Sequence, residues 1–189
     1  MRHICLAVVA VLASALPLLA APHPYVLEPD GSKIGFVTTF GADRITGDFP
    51  VTRADLALDF NQVSNCTIDV ALDVGGARAS FPFAAAALKG PKILNADAFP
   101  QMTFVSTSVV KEGDKARVIG QLTLRGVTRP VSLQAQILRQ PGTAAGDLSH
   151  LVVHLTGQIL RSDFGATGWA DMVGDEVQID IRARIRAAS

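Results

Sequence analysis

The chain is poor in the residues that carry most protein chemistry. It has two cysteines, four histidines, one tryptophan and one tyrosine among 189 residues. Charged residues make up 18% of it, and the 17 basic side chains are matched by 17 acidic ones. A balanced charge gives no purchase on the phosphates of nucleic acid. There is no HExxH, no paired CxxC and no Gly-x-Ser-x-Gly, so the common metal-hydrolase and nucleophile-elbow signatures are missing. The longest apolar run lies at the very start. Its alternative reading is a membrane anchor, but it is shorter than the ~20 residues of a membrane-spanning helix, and no other segment could span a bilayer.

That start reads as a secretory signal peptide. Met1-Arg2-His3 is basic, Ile4–Leu12 is unbroken and apolar, and small residues follow at Ala13-Ser14-Ala15 and Ala20-Ala21. Cleavage after Ala15 fits the small-x-small rule. Cleavage after Ala20 or Ala21 fits the length better, although Pro22 argues against the second. Residues 1–21 are therefore assigned to the signal and 22–189 to a single domain, with the periplasm as the expected location. Loss of Arg2 leaves a net charge of about −1. Cys5 leaves with the signal, so Cys66 is left alone and an internal disulfide is excluded. Cys66 shares its phase with Ile68, Val70, Leu72 and Val74, which predicts a buried, inert thiol.

What is abundant is alternation. Val118, Gly120, Leu122 and Leu124 fall in one phase, as do Val131, Leu133, Ala135 and Ile137. Arg125–Pro130 connects them, with a glycine that permits positive φ and a proline that lacks a donor. This is a β-hairpin with one apolar face. The same period of two runs through Tyr25–Leu27, Ile34–Phe40, Ile45–Val51, Leu56–Phe60, Cys66–Val74, Met102–Val110, Leu151–Ile159 and Val177–Ile185. Ser80–Leu88 breaks it: Ser80 is a candidate cap, Pro82 suits a first helical turn, alanines follow, and Gly90-Pro91 stops the run. Lys92–Pro100 is a second irregular piece. Nine or ten one-sided strands and one brief helix define an antiparallel all-β domain. A sandwich and a barrel satisfy that pattern equally, although only the barrel removes exposed edges.

The apolar faces are the main candidate site. Phe36, Phe40, Phe49, Ile68, Val70, Met102, Phe104, Leu122 and Leu124 project inward, either as an ordinary core or as the wall of a cavity. Phe81, Phe83, Leu88 and Phe99 belong to the insertion, as a lid or as a plug. Phe164 and Trp169 follow the turn Arg161-Ser162-Asp163-Phe164-Gly165, whose Arg–Asp pair reads as structural. Lys89, Lys92 and Arg78 could meet an anionic head group or form a solvated rim. Arg182, Arg184 and Arg186 share the outer face of the last strand, as a solvated stripe or a contact for an anionic membrane. His150 and His154 lie four apart in a strand, about 13 Å, too far to share an ion. A dyad of Asp163 with His154 lacks a nucleophile. No metal, cofactor or catalytic residue is assigned.

The segment Gly120–Leu133, GQLTLRGVTRPVSL, resembles the strand-turn-strand signature of the YceI-like family. Tyr25–Phe36, Ile45–Phe49, Asn95–Phe104, Arg161–Gly165 and Gly174–Val177 resemble its other elements, in order, over residues 25–186. Phe40 stands where many members carry a histidine. The resemblance implies an extended antiparallel, lipocalin-like β-barrel around a long apolar tunnel, with one short helical insertion. It also implies a long-chain isoprenoid or acyl lipid as partner and neither nucleic acid nor cofactor. The cargo this implies is a polyisoprenoid of quinone or prenyl type. A fatty acid or its amide, an envelope interaction protein with a filled barrel, and an enzyme acting on lipid tails stand as alternatives. Transient contact with a membrane surface fits such a cargo, and the oligomeric state is open between monomer and homodimer.

Overall fold

The computed structural model describes residues 21–138, 144 and 146–188. All of the proposed signal peptide but its last residue, Ala21, lies outside the described residues. Eleven strands form one antiparallel sheet: β1 (His23–Leu27), β2 (Lys33–Phe40), β3 (Asp43–Asp48), β4 (Val51–Leu58), β5 (Thr67–Asp73), β6 (Arg78–Ala79), β7 (Gln101–Glu112), β8 (Lys115–Leu124), β9 (Val127–Leu138), β10 (His150–Leu160) and β11 (Val173–Ala187). One helix, α1 (Pro82–Lys89), interrupts them.

Eight strands close a ring in the order β1-β4-β5-β7-β8-β9-β10-β11, with β1 pairing back onto β11. The barrel expected from the family resemblance is therefore the fold, and the sandwich is not. Closure depends on the 15-residue β11. Its C-terminal part pairs with β1 through Ile185–Ala187, while its earlier part pairs with β2 from Val173 to Arg182. β2 continues into β3 and the two-residue β6, an arm that extends the wall at that end. A register shift between Val173 and Val177 bends β11, and the Thr38 hydroxyl spans it by donating to the carbonyls of Gly174 and Glu176 at 3.3 and 3.0 Å. Such bulges supply the extra twist that a closed sheet requires.

The β8–β9 hairpin pairs Val118 with Leu133 and Gly120 with Val131. Its turn is tighter than the sequence suggests. Only Arg125 and Gly126 lie between the strands, both with positive φ (53° and 73°), the two-residue turn whose twist matches the strands. Pro130 falls inside β9, opposite Gln121, in the stretch that β10 does not reach. A proline costs no ladder bond on such an open edge. Arg125 also donates to the carbonyls of Pro91 and Ile93 at 2.7 and 2.9 Å, which pins the irregular insertion to the hairpin tip.

The helix begins at Pro82, one residue later than a Ser80 cap requires. Phe81 is its N-cap and makes no side-chain cap bond, while the Ser80 amide donates to Thr46 and joins β3. Ile45 to Val51 is not one strand but two, with Phe49 and Pro50 at the corner between β3 and β4. No helix among the described residues is long and apolar enough to cross a membrane.

Candidate functional site: the bore of the barrel

The inward phase of the strands encloses a cavity of about 660 Å³, within the ~300–1,000 Å³ usual for small-molecule sites. It runs from the β7–β8 turn, where Lys111, Asp114, Lys115 and Gln136 border it, to α1 and the loop before β11, where Phe40, Phe81, Phe83, Trp169 and Met172 border it. Between these ends the wall is almost wholly aliphatic and aromatic. Phe49, Ile68, Val70, Phe104, Leu155, Ile159 and Ile179 are only half-buried although they point inward. Their exposure is to the lumen. A barrel filled by its own side chains does not describe this protein.

Two glycines keep the bore wide. A Cβ on Gly120 would stand 2.4 Å from Cζ of Phe104, and one on Gly47 would stand 2.5 Å from Cε1 and Cζ of Phe36. The far edge of each ring thus occupies the space that a side chain on the neighbouring strand's glycine would take. Phe36 also packs against Phe49, with ring centroids 5.5 Å apart and the planes tilted by 37°.

Of the residues singled out in the sequence, Phe36, Phe40, Phe49, Ile68, Val70, Phe83, Leu88, Met102, Phe104, Leu122, Leu124 and Trp169 border the cavity. Phe99 and Phe164 do not. The Phe99 ring covers the β8–β9 turn, 2.7 Å from where a Gly126 Cβ would stand. Phe164 is 1% exposed and belongs to the packed core, forming part of a separate shallow groove with Arg129 and Asp163. Periodicity cannot place either ring, because both lie outside regular strands. Leu72, Val118, Leu133, Leu155 and Ile179 also line the wall; alternation puts all five in the inward phase, but they are not among the candidate site residues.

Among the described residues the one buried cation is Arg161, 6% exposed. It does not pair with Asp163 as the turn sequence suggested. Its guanidinium donates to the carbonyls of Gly174 (2.9 Å), Ala166 (2.5 Å), Gly168 (2.8 Å) and Val173 (2.8 Å). Four carbonyl dipoles thus stand in for a carboxylate, and the loop that ends in Trp169 is latched around one side chain. Asp175 receives the Ser162 hydroxyl and amide, and these bonds, with help from Arg161, hold its carboxyl below the usual range.

The opposite end is fixed by Asp59, which accepts from the amides of Gln62 and Asn61 and from Asn65. The Gln62 amide is the chief cause of its lowered pKa. The loop it organises brings Phe60 and Val63 to the cavity. Cys66 follows, free and half-buried rather than fully buried. It borders the lumen, and burial pushes its thiol pKa up.

Little here is arranged for bond-making. His154 points outward and pairs with Asp180 at 2.8 Å, not with Asp163, and the His150 ring meets Ser149. Among the described residues no three His, Cys, Asp or Glu side chains gather as a metal site. Arg78 is bound to Asp48 at 2.7 Å and Arg184 to Glu28 at 3.1 Å, so neither is a free cation for a head group.

The fold and the bore define a class, the hollow lipocalin-like antiparallel β-barrel. Within it, the chain belongs to the YceI-like domain family, whose model matches residues 25–185. It is 39% identical over 94 residues to Protein YceI of Salmonella arizonae, a match covering 50% of this chain and 49% of that protein. The chain thus spans about half the length of the curated relatives it matches. BcnA of Burkholderia cenocepacia has a similar structure, with a TM-score of 0.76 at 22% identity over 86% of this chain and 100% of that one. A polyisoprenoid binding domain from Saccharophagus degradans, implicated in plant cell wall breakdown, is similar with a TM-score of 0.64 at 13% identity, covering 88% and 99% of the two chains.

Proposed function

We propose that this protein binds and carries a long-chain apolar lipid, a polyisoprenoid of quinone or prenyl type, after export to the periplasm. It performs no chemistry on that cargo. The observation that carries the reading is the almost wholly apolar wall of a bore of about 660 Å³. Each methylene withdrawn from water contributes about 0.8 kcal/mol, so ten of them give on the order of 8 kcal/mol toward the cost of ordering a flexible tail. No hydrogen bond is needed for that affinity. The description of the Saccharophagus degradans domain as polyisoprenoid binding supports an isoprenoid over other tails. The basic, apolar, small-residue order of residues 1–21 supports export.

The test is to purify the mature protein under native conditions, extract it into organic solvent and identify the extract by mass spectrometry. A stoichiometric prenyl lipid is expected. A stoichiometric fatty acid or amide would replace the isoprenoid and keep the carrier. An empty extract, with no apolar dye bound and no change in Trp169 emission on adding lipid, would overturn the reading.

A further inference from the structure

The two mouths of the bore differ in character. Among the described residues, the mouth at the β7–β8 turn is bordered by the polar Lys111, Asp114, Lys115 and Gln136 and by one exposed apolar side chain, Ile137. At the α1 mouth the apolar lining continues out into water. Phe83 is 68% exposed, Met172 42%, Phe81 38% and Trp169 37%, and all four also border the cavity. These residues come from two segments far apart in sequence, the start of α1 and the loop before β11. Every exposed aromatic among the described residues is gathered here, whereas Val105, Val110, Leu138 and Leu160 are exposed without bordering the cavity.

Folding gains nothing from leaving these side chains in water, and a contiguous exposed apolar patch marks an interaction surface. The backbone is strained to build it. Trp169 has a φ of 60°, a region that bulky side chains avoid, and the Arg161 latch together with the Met172 and Val173 amides on the Trp169 carbonyl holds it there. Cations rim the patch. The Lys92 ammonium lies 5.0 Å from the centroid of the Trp169 ring, and Lys89 ends α1. Asp171 is the carboxylate between Trp169 and Met172. Apolar side chains beside an indole and lysines match the layered chemistry of a lipid–water interface.

We propose that this mouth docks on a phospholipid bilayer. Phe83 and Met172 enter the acyl layer, Trp169 lies at head-group level, and Lys89 and Lys92 meet phosphates. The cargo then moves between bilayer and bore along one continuous apolar surface. The proposal rests on the carrier reading. It gives the membrane contact to the mouth and not to the Arg182–Arg186 stripe, which lies on the outer wall.

Trp169 is the single tryptophan and reports on this mouth directly. Lipid-free mature protein is mixed with vesicles of phosphatidylcholine and phosphatidylglycerol carrying brominated acyl chains, and flotation and Trp169 quenching are read together. The expected result is flotation with quenching, weakened on the order of tenfold by Phe83→Ser or Met172→Ser, the removal of one inserted apolar side chain. Thermal unfolding of each variant establishes that it is folded. Protein that does not float, or that floats with Trp169 unquenched, overturns the docking. So does a concentration-dependent dimer that buries Trp169 without vesicles, since a second copy then covers the patch. Uptake of a prenyl alcohol delivered from cyclodextrin, with no vesicles present, separates the two readings. Uptake without flotation removes the docking and leaves the carrier, and flotation without uptake does the reverse.

Discussion

Replacing Gly120 by alanine tests the hollow bore at one atom. In an unconstrained strand the change stabilises by about 0.5–1 kcal/mol, because glycine loses more backbone freedom on folding. Here the new methyl would stand 2.4 Å from Cζ of Phe104 and 2.6 Å from the Val105 carbonyl oxygen. The ring has to leave the wall and swing into the lumen, or β7 and β8 have to part. Overpacking of this kind costs about 1–3 kcal/mol, so the net loss is on the order of 1–2 kcal/mol. For a domain of this size the melting temperature falls by about 2–4 °C per kcal/mol, or roughly 2–8 °C in all. A thermal double-mutant cycle with Phe104→Ala separates the two contacts. The Val105 contact persists in both backgrounds and drops out, and the ring contact remains as a coupling of about 1 kcal/mol or more. Uptake of an apolar dye should fall in Gly120→Ala and recover in the double variant, because the ring alone obstructs the bore. A Gly120→Ala protein as stable as the parent, or a cycle additive within about 0.5 kcal/mol, would refute the claim that the ring fills the space beside Gly120.

Three further outcomes follow from the same geometry. Arg161→Ala removes four carbonyl bonds and should cost at least about 3 kcal/mol by thermal unfolding; Arg161→Lys should not restore it, since one ammonium cannot span the fork that meets Ala166, Gly168, Val173 and Gly174. Asp59 and Asp175 are held below the ordinary carboxylate range, so the stability they add is complete above about pH 4 and is lost as pH falls through their lowered values; the acid limb of the stability–pH curve should flatten in Asp59→Asn. Burial raises the Cys66 pKa, so the thiol should react with an aromatic disulfide reagent more slowly than a free cysteine at pH 8, more slowly still with lipid in the bore, and at the free rate in denaturant; a fast native reaction would show the lumen to be wet and open at Cys66.

Much of this protein could be read before it was seen. Strict alternation in Val118–Leu124 and Val131–Ile137 fixed which side chains share a face, because the strand period is a local property of the backbone. Gly90-Pro91 and Arg125-Gly126 marked where elements stop, for reasons equally local. The width of a turn was less secure. Pro130 looked like part of the connection, and only the lack of β10 pairing beyond Leu133 allows it into β9.

Alternation says that faces are apolar but not what they face. Closure is a long-range event, decided by β11 giving one end to β1 and the rest to β2. Hollowness is more remote still. It depends on Phe104 lying over Gly120 and Phe36 over Gly47, pairs that meet only when strands are in register. Phe99 and Phe164 could not be placed from sequence, since they lie outside strands and their surroundings come from segments distant in the chain. The sequence by itself determined the alternation that makes strands, their apolar phase and the place of helix α1. The tertiary structure alone decided that the apolar phase lines a space instead of filling it, because empty volume depends on curvature and register, which no local pattern records.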